Sequence, residues 1–224
     1  MILSYIPNHI QAITVDLWGT LFFDNTKTGK LYNKRAEFID RIQRLHGDYE
    51  VSAAEIVLEE KKEFQLYENN GIILPIEERI RFLTRQTISK TEIIVVKKYF
   101  DAMSLGYLPT LNYELFRSLG YWKAKQLKIA LLSNTGLISS FVTREYLKKY
   151  HMLELFDELL FSEEEMLCKP DIRFFYRASK KMKIPLQNIM HIGDSYTNDY
   201  IPALEAGMSA ILFQGGNYYA TWQR

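Results

Sequence analysis

The chain has one cysteine, Cys168, which excludes an intrachain disulfide and any metal site built from several thiolates. It has almost no net charge, with 28 basic against 27 acidic residues for a formal +1. That balance gives no electrostatic reason for a nucleic acid or an acidic membrane as partner. It lacks any run approaching the roughly 18 apolar residues a membrane span needs. Met1–His9 lacks the basic-then-apolar layout of a secretory leader, so a cytoplasmic location with no membrane partner is the expectation. Internal repeats and low-complexity segments are also missing, and the histidines have no partners at ligand spacing. What remains is ordinary globular material: 224 residues, 47% hydrophobic and 25% charged, enough for one large domain or a core with an insert.

The order of the elements is more informative than the composition. Ile10–Val15 reads as a buried strand that ends in Asp16, with Gly19 three residues later where the backbone must turn tightly. Residues 30–45, 53–67, 76–87 and 91–104 then carry apolar side chains at three- and four-residue spacing, as in Leu31, Phe38, Ile39, Ile42 and Leu45. Ser52 with Glu55 is a capping-box signature for the second of these helices. This predicts a helical insert over 25–105 acting as a small cap domain, with a core domain over 1–24 and 106–224. From Pro109 the pattern is strictly α/β. Strands are predicted at Lys128–Leu132, Glu158–Phe161, Ile189–Ile192 and Ser209–Phe213. Helices are predicted at 112–126, 138–150, 171–182 and 197–206, the last stopped by Gly207. Such alternation makes a Rossmann-like parallel sheet with helices on both faces. The tail Gln214–Arg224 is expected to pack on the core edge.

The strand ends hold the chemistry. Asp16 follows the first strand, Ser133-Asn134-Thr135-Gly136 the second, and Gly193-Asp194-Ser195-Tyr196-Thr197-Asn198-Asp199 the fourth, while Cys168-Lys169-Pro170-Asp171 lies between the third and fourth. In open α/β sheets ligands bind at this edge. Asp16, Asp194 and Asp199 offer the hard oxygens that Mg²⁺ prefers. Ser133 and the amides of Asn134 and Thr135, before a helix, can hold phosphate oxygens. Lys169 adds positive charge, and Asp16 can act as a carboxylate nucleophile. The reading is phosphoryl handling on a small phosphorylated substrate, with Mg²⁺ as cofactor. Oligomeric state is not legible.

These four motifs, in this order and spacing from Ile10 to Phe213, resemble those of the haloacid dehalogenase-like superfamily. The resemblance implies that Asp16 is the nucleophile, Ser133 the small hydroxyl of the second motif, Lys169 the lysine of the third, and Asp194 with Asp199 the acidic pair of the fourth. It further implies Asp16, Asp194 and the Trp18 carbonyl as metal ligands, with Asp199 ligating or orienting. It places a cap between the first two motifs, and it gives a sheet order of 3-2-1-4-5.

One position departs from the pattern. The family's phosphatases carry Asp-x-Asp-x-Thr, with the second Asp as general acid; here that residue is Trp18, whose indole transfers no proton near neutral pH. The expectation is therefore an aspartyl-phosphate phosphohydrolase that is slow or favours leaving groups of low pKa, with Trp18 also lining the substrate site. Alternatives are a 2-haloacid dehalogenase, since that branch has an aromatic residue here, a phosphonate hydrolase using Lys27, Lys30 or Lys34, and a non-catalytic ligand-binding protein on the same scaffold. The dehalogenase branch uses no metal and has Ser-x-Asn-x-x-Asp as its fourth motif, whereas this chain keeps both acids, which favours phosphate.

Overall fold

The structure, a computed structural model, describes residues 6–23, 30–46, 51–85, 88–214 and 217–222, without the side chains of Lys30, Tyr32, His46, Asn217 and Tyr218. Lys27, the side chain of Lys30 and the proposed 24/25 boundary thus lie outside the described residues.

Alternating burial in the first strand sets the layers. In β1 (Ala12–Val15) every residue is buried. Ile13 and Val15 enter one apolar cluster and Ala12 the other, as the two-residue period of a strand dictates. After β1 the chain makes a short strand β2 (Phe22–Phe23). Four helices follow: α1 (Lys30–His46), α2 (Ala53–Asn69), α3 (Ile76–Leu83) and α4 (Lys90–Leu105). It then runs through β3 (Thr110–Leu111), α5 (Tyr113–Ala124), β4 (Lys128–Ser133), α6 (Ser140–Lys149), β5 (Glu158–Phe161), α7 (Ser162–Glu165) and α8 (Ile172–Met182). The last elements are β6 (Ile189–Gly193), α9 (Ile201–Glu205), β7 (Ser209–Gln214) and β8 (Asn217–Thr221).

The main sheet has the order β5-β4-β1-β6-β7-β8. Its first five strands are parallel, with Val15 opposite both Leu131 and Ile192. This is the 3-2-1-4-5 order expected, with the Asp16 strand in the centre. Leu115, Leu119 and Trp122 of α5 and Val142, Tyr146 and Leu147 of α6 cover one face. Phe174, Phe175, Ala178 and Met182 of α8 and Ala203 of α9 cover the other.

Two features were not expected. The tail is not simply packed on the edge: β8 pairs antiparallel with β7, from Ala210 opposite Thr221 to Gln214 opposite Asn217. And β2 pairs with β3, Phe22 opposite Leu111, tying the segment after β1 to the start of α5. The helix predicted over 197–206 is also irregular. Tyr196–Tyr200 forms one wide turn of π geometry, and regular helix begins only at Ile201. Pro202 has no N–H to donate back to residue 198, so the chain cannot run a regular ladder through this point.

The four inserted helices bury their own cluster, including Ile39, Ile56, Val57, Ile80, Leu83, Ile93, Val96 and Phe100, and Leu137 from the segment before α6 joins it. Ser52 caps α2, and its capping box with Glu55 is complete. The third helix stops at Leu83, four residues short of its expected end, with Thr84 Oγ1 turned back to the Ile80 carbonyl at 2.9 Å. Arg35 donates to the Leu137 carbonyl at 3.2 Å, and Ser139 donates to Asp101 at 2.7 Å, so the insert is hydrogen-bonded to the sheet domain. No helix among the described residues is long and apolar enough to cross a membrane.

Candidate active site

Parallel strands end together, so the residues after β1, β4 and β6 meet at one edge. At its centre Lys169 Nζ donates to Asp16 Oδ1 at 2.5 Å and to Asp199 Oδ1 at 2.6 Å. The lysine is only 2% exposed. Burial alone would lower its pKa, but the two carboxylates outweigh that and hold it above the usual lysine range. Asn134 fixes its backbone from both sides: Nδ2 donates to the Lys169 carbonyl at 2.8 Å, and Oδ1 accepts from the Lys169 N–H at 2.9 Å. The Lys169–Pro170 peptide is cis.

Behind the lysine runs a buried polar chain that was not legible in advance. His191 lies between Asp199 Oδ1 (Nε2, 3.1 Å) and Thr14 Oγ1 (Nδ1, 2.8 Å), with its ring edge-on to Phe175. Burial pushes its pKa below the ordinary histidine value, which favours the neutral ring; the tautomer with Nε2–H donating to Asp199 leaves Nδ1 to accept from Thr14. The sequence suggests a structural role for His191, and these contacts define one, the orientation of Asp199. Ser195 N–H donates to Asp199 Oδ2 at 3.0 Å. Both oxygens of Asp199 are therefore engaged. Burial opposes its ionised form, but Lys169 and His191 outweigh that and hold it well below the usual carboxylate range.

Asp16 differs. Its Oδ1 accepts from Lys169, while Oδ2 is buried with no hydrogen-bond partner. Burial raises its pKa to about 7; Lys169 pulls against this, and Asp199 and Asp194 add to it. Asp194 is likewise raised, first by burial and then by Asp199. Its Oδ1 accepts from Thr20 at 3.3 Å. Each of the three carboxylates offers an oxygen within 4.8 Å of the other two. One ammonium cannot offset three carboxylates, and a buried carboxylate oxygen without a partner is costly. Both observations fit a hard divalent cation held by oxygen.

Two glycines let these acids approach the backbone. A Cβ on Gly19, whose φ is +88°, would lie 2.2 Å from Asp194 Oδ2, and one on Gly193 would lie 2.2 Å from Asp199 Cγ.

The second motif differs from expectation. Ser133 is buried at the end of β4, and its hydroxyl makes only a long 3.5 Å contact to the Asn134 carbonyl. Thr135 N–H, expected to face a phosphate, donates to Ser162 Oγ at 2.8 Å. The helix expected from Ile138 starts at Ser140, whose N–H donates to Glu163 at 2.6 Å. The side chain of Asn134 is spent on Lys169, so it positions that lysine. Cys168, 1% exposed with its thiol pushed up by burial to about 12, is an inert neighbour.

Trp18 packs on the sheet domain, tilted against Phe22 at 6.2 Å and edge-on to Tyr146 at 6.3 Å. Its other side lines a cleft of about 930 Å³ between the sheet edge and the inserted helices, shared with Asp194, Asn134 and Asn198. On the helical side the cleft carries Glu60, Lys61, Glu68 and Arg79, none of which the sequence singles out.

Comparisons with known proteins bear on the family and the fold. Residues 10–207 match a family model described as haloacid dehalogenase-like hydrolase. The chain is 34% identical over 86 residues to haloacid dehalogenase-like hydrolase domain-containing protein 3 of Xenopus laevis, across 36% of this chain and 35% of that one. It is 32% identical over 90 residues to a glyceraldehyde 3-phosphate phosphatase of Methanothermobacter thermautotrophicus, across 40% of this chain and 38% of that one. The matched stretches thus span little more than a third of those relatives. A 2-haloacid dehalogenase from Pseudomonas syringae shares the fold with a TM-score of 0.66 at 19% identity, over 91% of this chain and 86% of that one. A phosphatase from Thermococcus onnurineus shares it at 0.62 and 14% identity, over 93% and 88%.

Proposed function

The chain belongs to the haloacid dehalogenase-like hydrolases, and within that family we propose a Mg²⁺-dependent phosphohydrolase that works through Asp16 on a small phosphorylated metabolite. The observation that carries this reading is the charge imbalance at the sheet edge: three carboxylates share Lys169, and Asp16 Oδ2 is buried without a partner. Matched relatives named as phosphatases support it.

Asp16, Asp194 and the Trp18 carbonyl would hold Mg²⁺, which supplies charge neutralisation for an anionic substrate. Asp199, with both oxygens engaged, acts as the orienting acid. Lys169 fixes the Asp16 carboxylate and offsets phosphate charge, and Ser133 Oγ accepts the role of phosphoryl donor contact. The Asp16 carboxylate attacks phosphorus, the P–O bond to the leaving group breaks, and the electron pair leaves on that oxygen. Water then attacks the aspartyl-phosphate and regenerates the carboxylate. No acid stands at position 18, so the leaving oxygen takes its proton from water. Leaving groups of low pKa are favoured.

The test is turnover of p-nitrophenyl phosphate, acetyl phosphate, glycerol 3-phosphate and pyrophosphate with Mg²⁺. Aryl and acyl phosphates should exceed alkyl esters, and Asp16→Asn should fall to background. Activity that survives Asp16→Asn, or none on any ester, sinks the reading. Mg²⁺ should also stabilise the fold by about 2.7 kcal/mol at a hundredfold excess over Kd, seen as a higher unfolding temperature, and Asp194→Asn should remove that gain. Trp18 alone favours the halide-releasing reading. Chloride release from a 2-haloacid in the presence of a chelator would establish that reading instead.

A further inference from the structure

The helical side of the cleft holds an ion pair that the proposed chemistry does not use. Arg79 of α3 donates through Nε to Glu60 of α2 at 2.5 Å. Glu60 is 1% exposed and Arg79 9%. The guanidinium lies over the Phe64 ring, 4.7 Å from its centroid. Nε is therefore satisfied and the plane is fixed by an acid on one edge and a ring on one face.

The other end of the fork is less engaged. Glu68 Oε1 stands 3.9 Å from Nη1, beyond hydrogen-bond length. Nη1 also reaches across to the sheet domain, since a Cβ on Gly136 would sit 3.1 Å from it. Gly136 follows Ser133-Asn134-Thr135, so Arg79 rests against the loop of the second motif. It lines the cleft together with Trp18, Asn134 and Asp194. Arg35, Lys61 and Arg79 on the helical side stand against Glu60 and Glu68, an excess of positive charge. Burial raises the Glu68 carboxyl above its ordinary range, against the pull of Arg79 and Lys169, which further weakens it as a partner for the arginine.

We infer that Arg79 is a specificity-determining residue, which receives a second oxyanion, carboxylate or phosphate, carried on the leaving group of the phosphate ester. The inference rests on the phosphohydrolase reading for the position of the first phosphate. An arginine fork matches either oxyanion in a two-pronged contact, and here Glu60 and Phe64 hold it in place before the ligand arrives. The missing Cβ at Gly136 lets the guanidinium lie against this loop.

Binding, not turnover, separates this from the reading beneath it. Calorimetry on Asp16→Asn protein with Mg²⁺ compares 3-phosphoglycerate with glycerol 3-phosphate, and fructose 1,6-bisphosphate with fructose 6-phosphate. The same titrations are run with Glu60→Gln/Arg79→Gln added, which removes both buried charges together and so strands neither. The expected result is a loss of about tenfold or more for the ester of one pair that carries two anionic groups, with its partner that carries the phosphate alone changed by less than about twofold. The pair that responds identifies the oxyanion as carboxylate or phosphate. Glu68→Gln should move the same ester the other way, towards tighter binding. Equal losses for all four esters, no loss for any, or no preference in the parent for an ester with a second anionic group, overturns the inference. A wild-type protein that hydrolyses no ester while still showing the Arg79-dependent contrast overturns the phosphohydrolase reading alone.

Discussion

Two buried cations in this protein each stand between two carboxylates, and they are bound differently. Lys169, at the sheet edge, has Asp16 at 2.5 Å and Asp199 at 2.6 Å. Arg79, in the inserted helices, has Glu60 at 2.5 Å but Glu68 at 3.9 Å. The first is closed on both sides and backed by His191, Thr14 and the Asn134 clamp on its peptide. The second is closed on one side and faces the cleft with the other. A cation saturated by its own protein can orient a nucleophile and acts on a ligand through its charge alone; one that is half-satisfied can also hydrogen-bond a ligand. The lysine proposed for catalysis and the arginine proposed for selection are thus told apart by what remains unspent, not by burial, which they share.

The sharpest way to break this comparison is to remove each cation. Lys169→Met leaves Asp16 and Asp199 buried without their partner, which typically costs about 3–5 kcal/mol. Urea unfolding should show that loss, and turnover of p-nitrophenyl phosphate should disappear. Arg79→Met strands Glu60 and should cost stability on a similar scale, yet turnover of an aryl phosphate with no second anion should survive in the folded fraction. If aryl phosphate turnover is lost equally in both, Arg79 belongs to the catalytic machinery and the distinction between them collapses.

The difference also explains what could be read from the sequence. Asp16, Lys169, Asp194 and Asp199 lie at predicted strand ends or in a turn between strands, so topology alone brings them to one edge. Glu60 and Arg79 are 19 positions apart on two helices, and each alone reads as a solvated helix-face charge. Only the packing of α2 on α3 buries them together, and no local pattern encodes that. His191 and Thr14 were hidden for a related reason: one polar residue in an apolar strand gives no sign of which neighbour it meets. The strand β8 did have a signal. Gly215-Gly216 stands between two runs rich in aromatic and β-branched residues, which is a hairpin signature, but the polar tail around it masked the pattern. The wide turn at Tyr196–Tyr200 follows from Pro202, which the helix expected over 197–206 left out of account.

Smaller in expected size is the effect of restoring the acid that position 18 lacks. Trp18→Asp should speed glycerol 3-phosphate hydrolysis by about tenfold to hundredfold, below the 10²–10⁴ of a fully positioned acid because the surrounding loop is fitted to indole. Aryl and acyl phosphates should gain less, since their leaving groups need no proton. Stability should fall as well, because Trp18 gives up ring contacts with Phe22 and Tyr146. An equal rate change on every ester would mean that proton supply does not limit the enzyme, and the contrast with the intact Lys169 network would lose its mechanistic meaning.

The smallest effect calibrates the comparison from outside the cleft. Lys123 and Asp157 form a third cation–carboxylate contact, at 2.7 Å, with both side chains about a third exposed. Asp157 also accepts from the Ile129 N–H at 2.8 Å, which anchors the start of β4. Burial pushes the Asp157 pKa up, but the Lys123 and Ile129 hydrogen bonds outweigh it and the net shift is downward. A carboxyl whose folded pKa is depressed contributes stability that is fully present above its unfolded value of about 4, and this is lost as pH falls through the folded value below it. Urea unfolding of wild type and Asp157→Asn should therefore differ near pH 6 by about 0.2–1 kcal/mol, the scale of an exposed pair. The two curves should converge only once the pH has fallen below the depressed folded value, where the wild-type carboxyl is also neutral. A gap that persists there would mean that the N–H contact, which asparagine keeps only in part, outweighs the charge. If the gap near pH 6 matched the Lys169→Met loss, exposure would not discount an ion pair here, and the weight given to burial at Lys169 and Arg79 would have to be reconsidered.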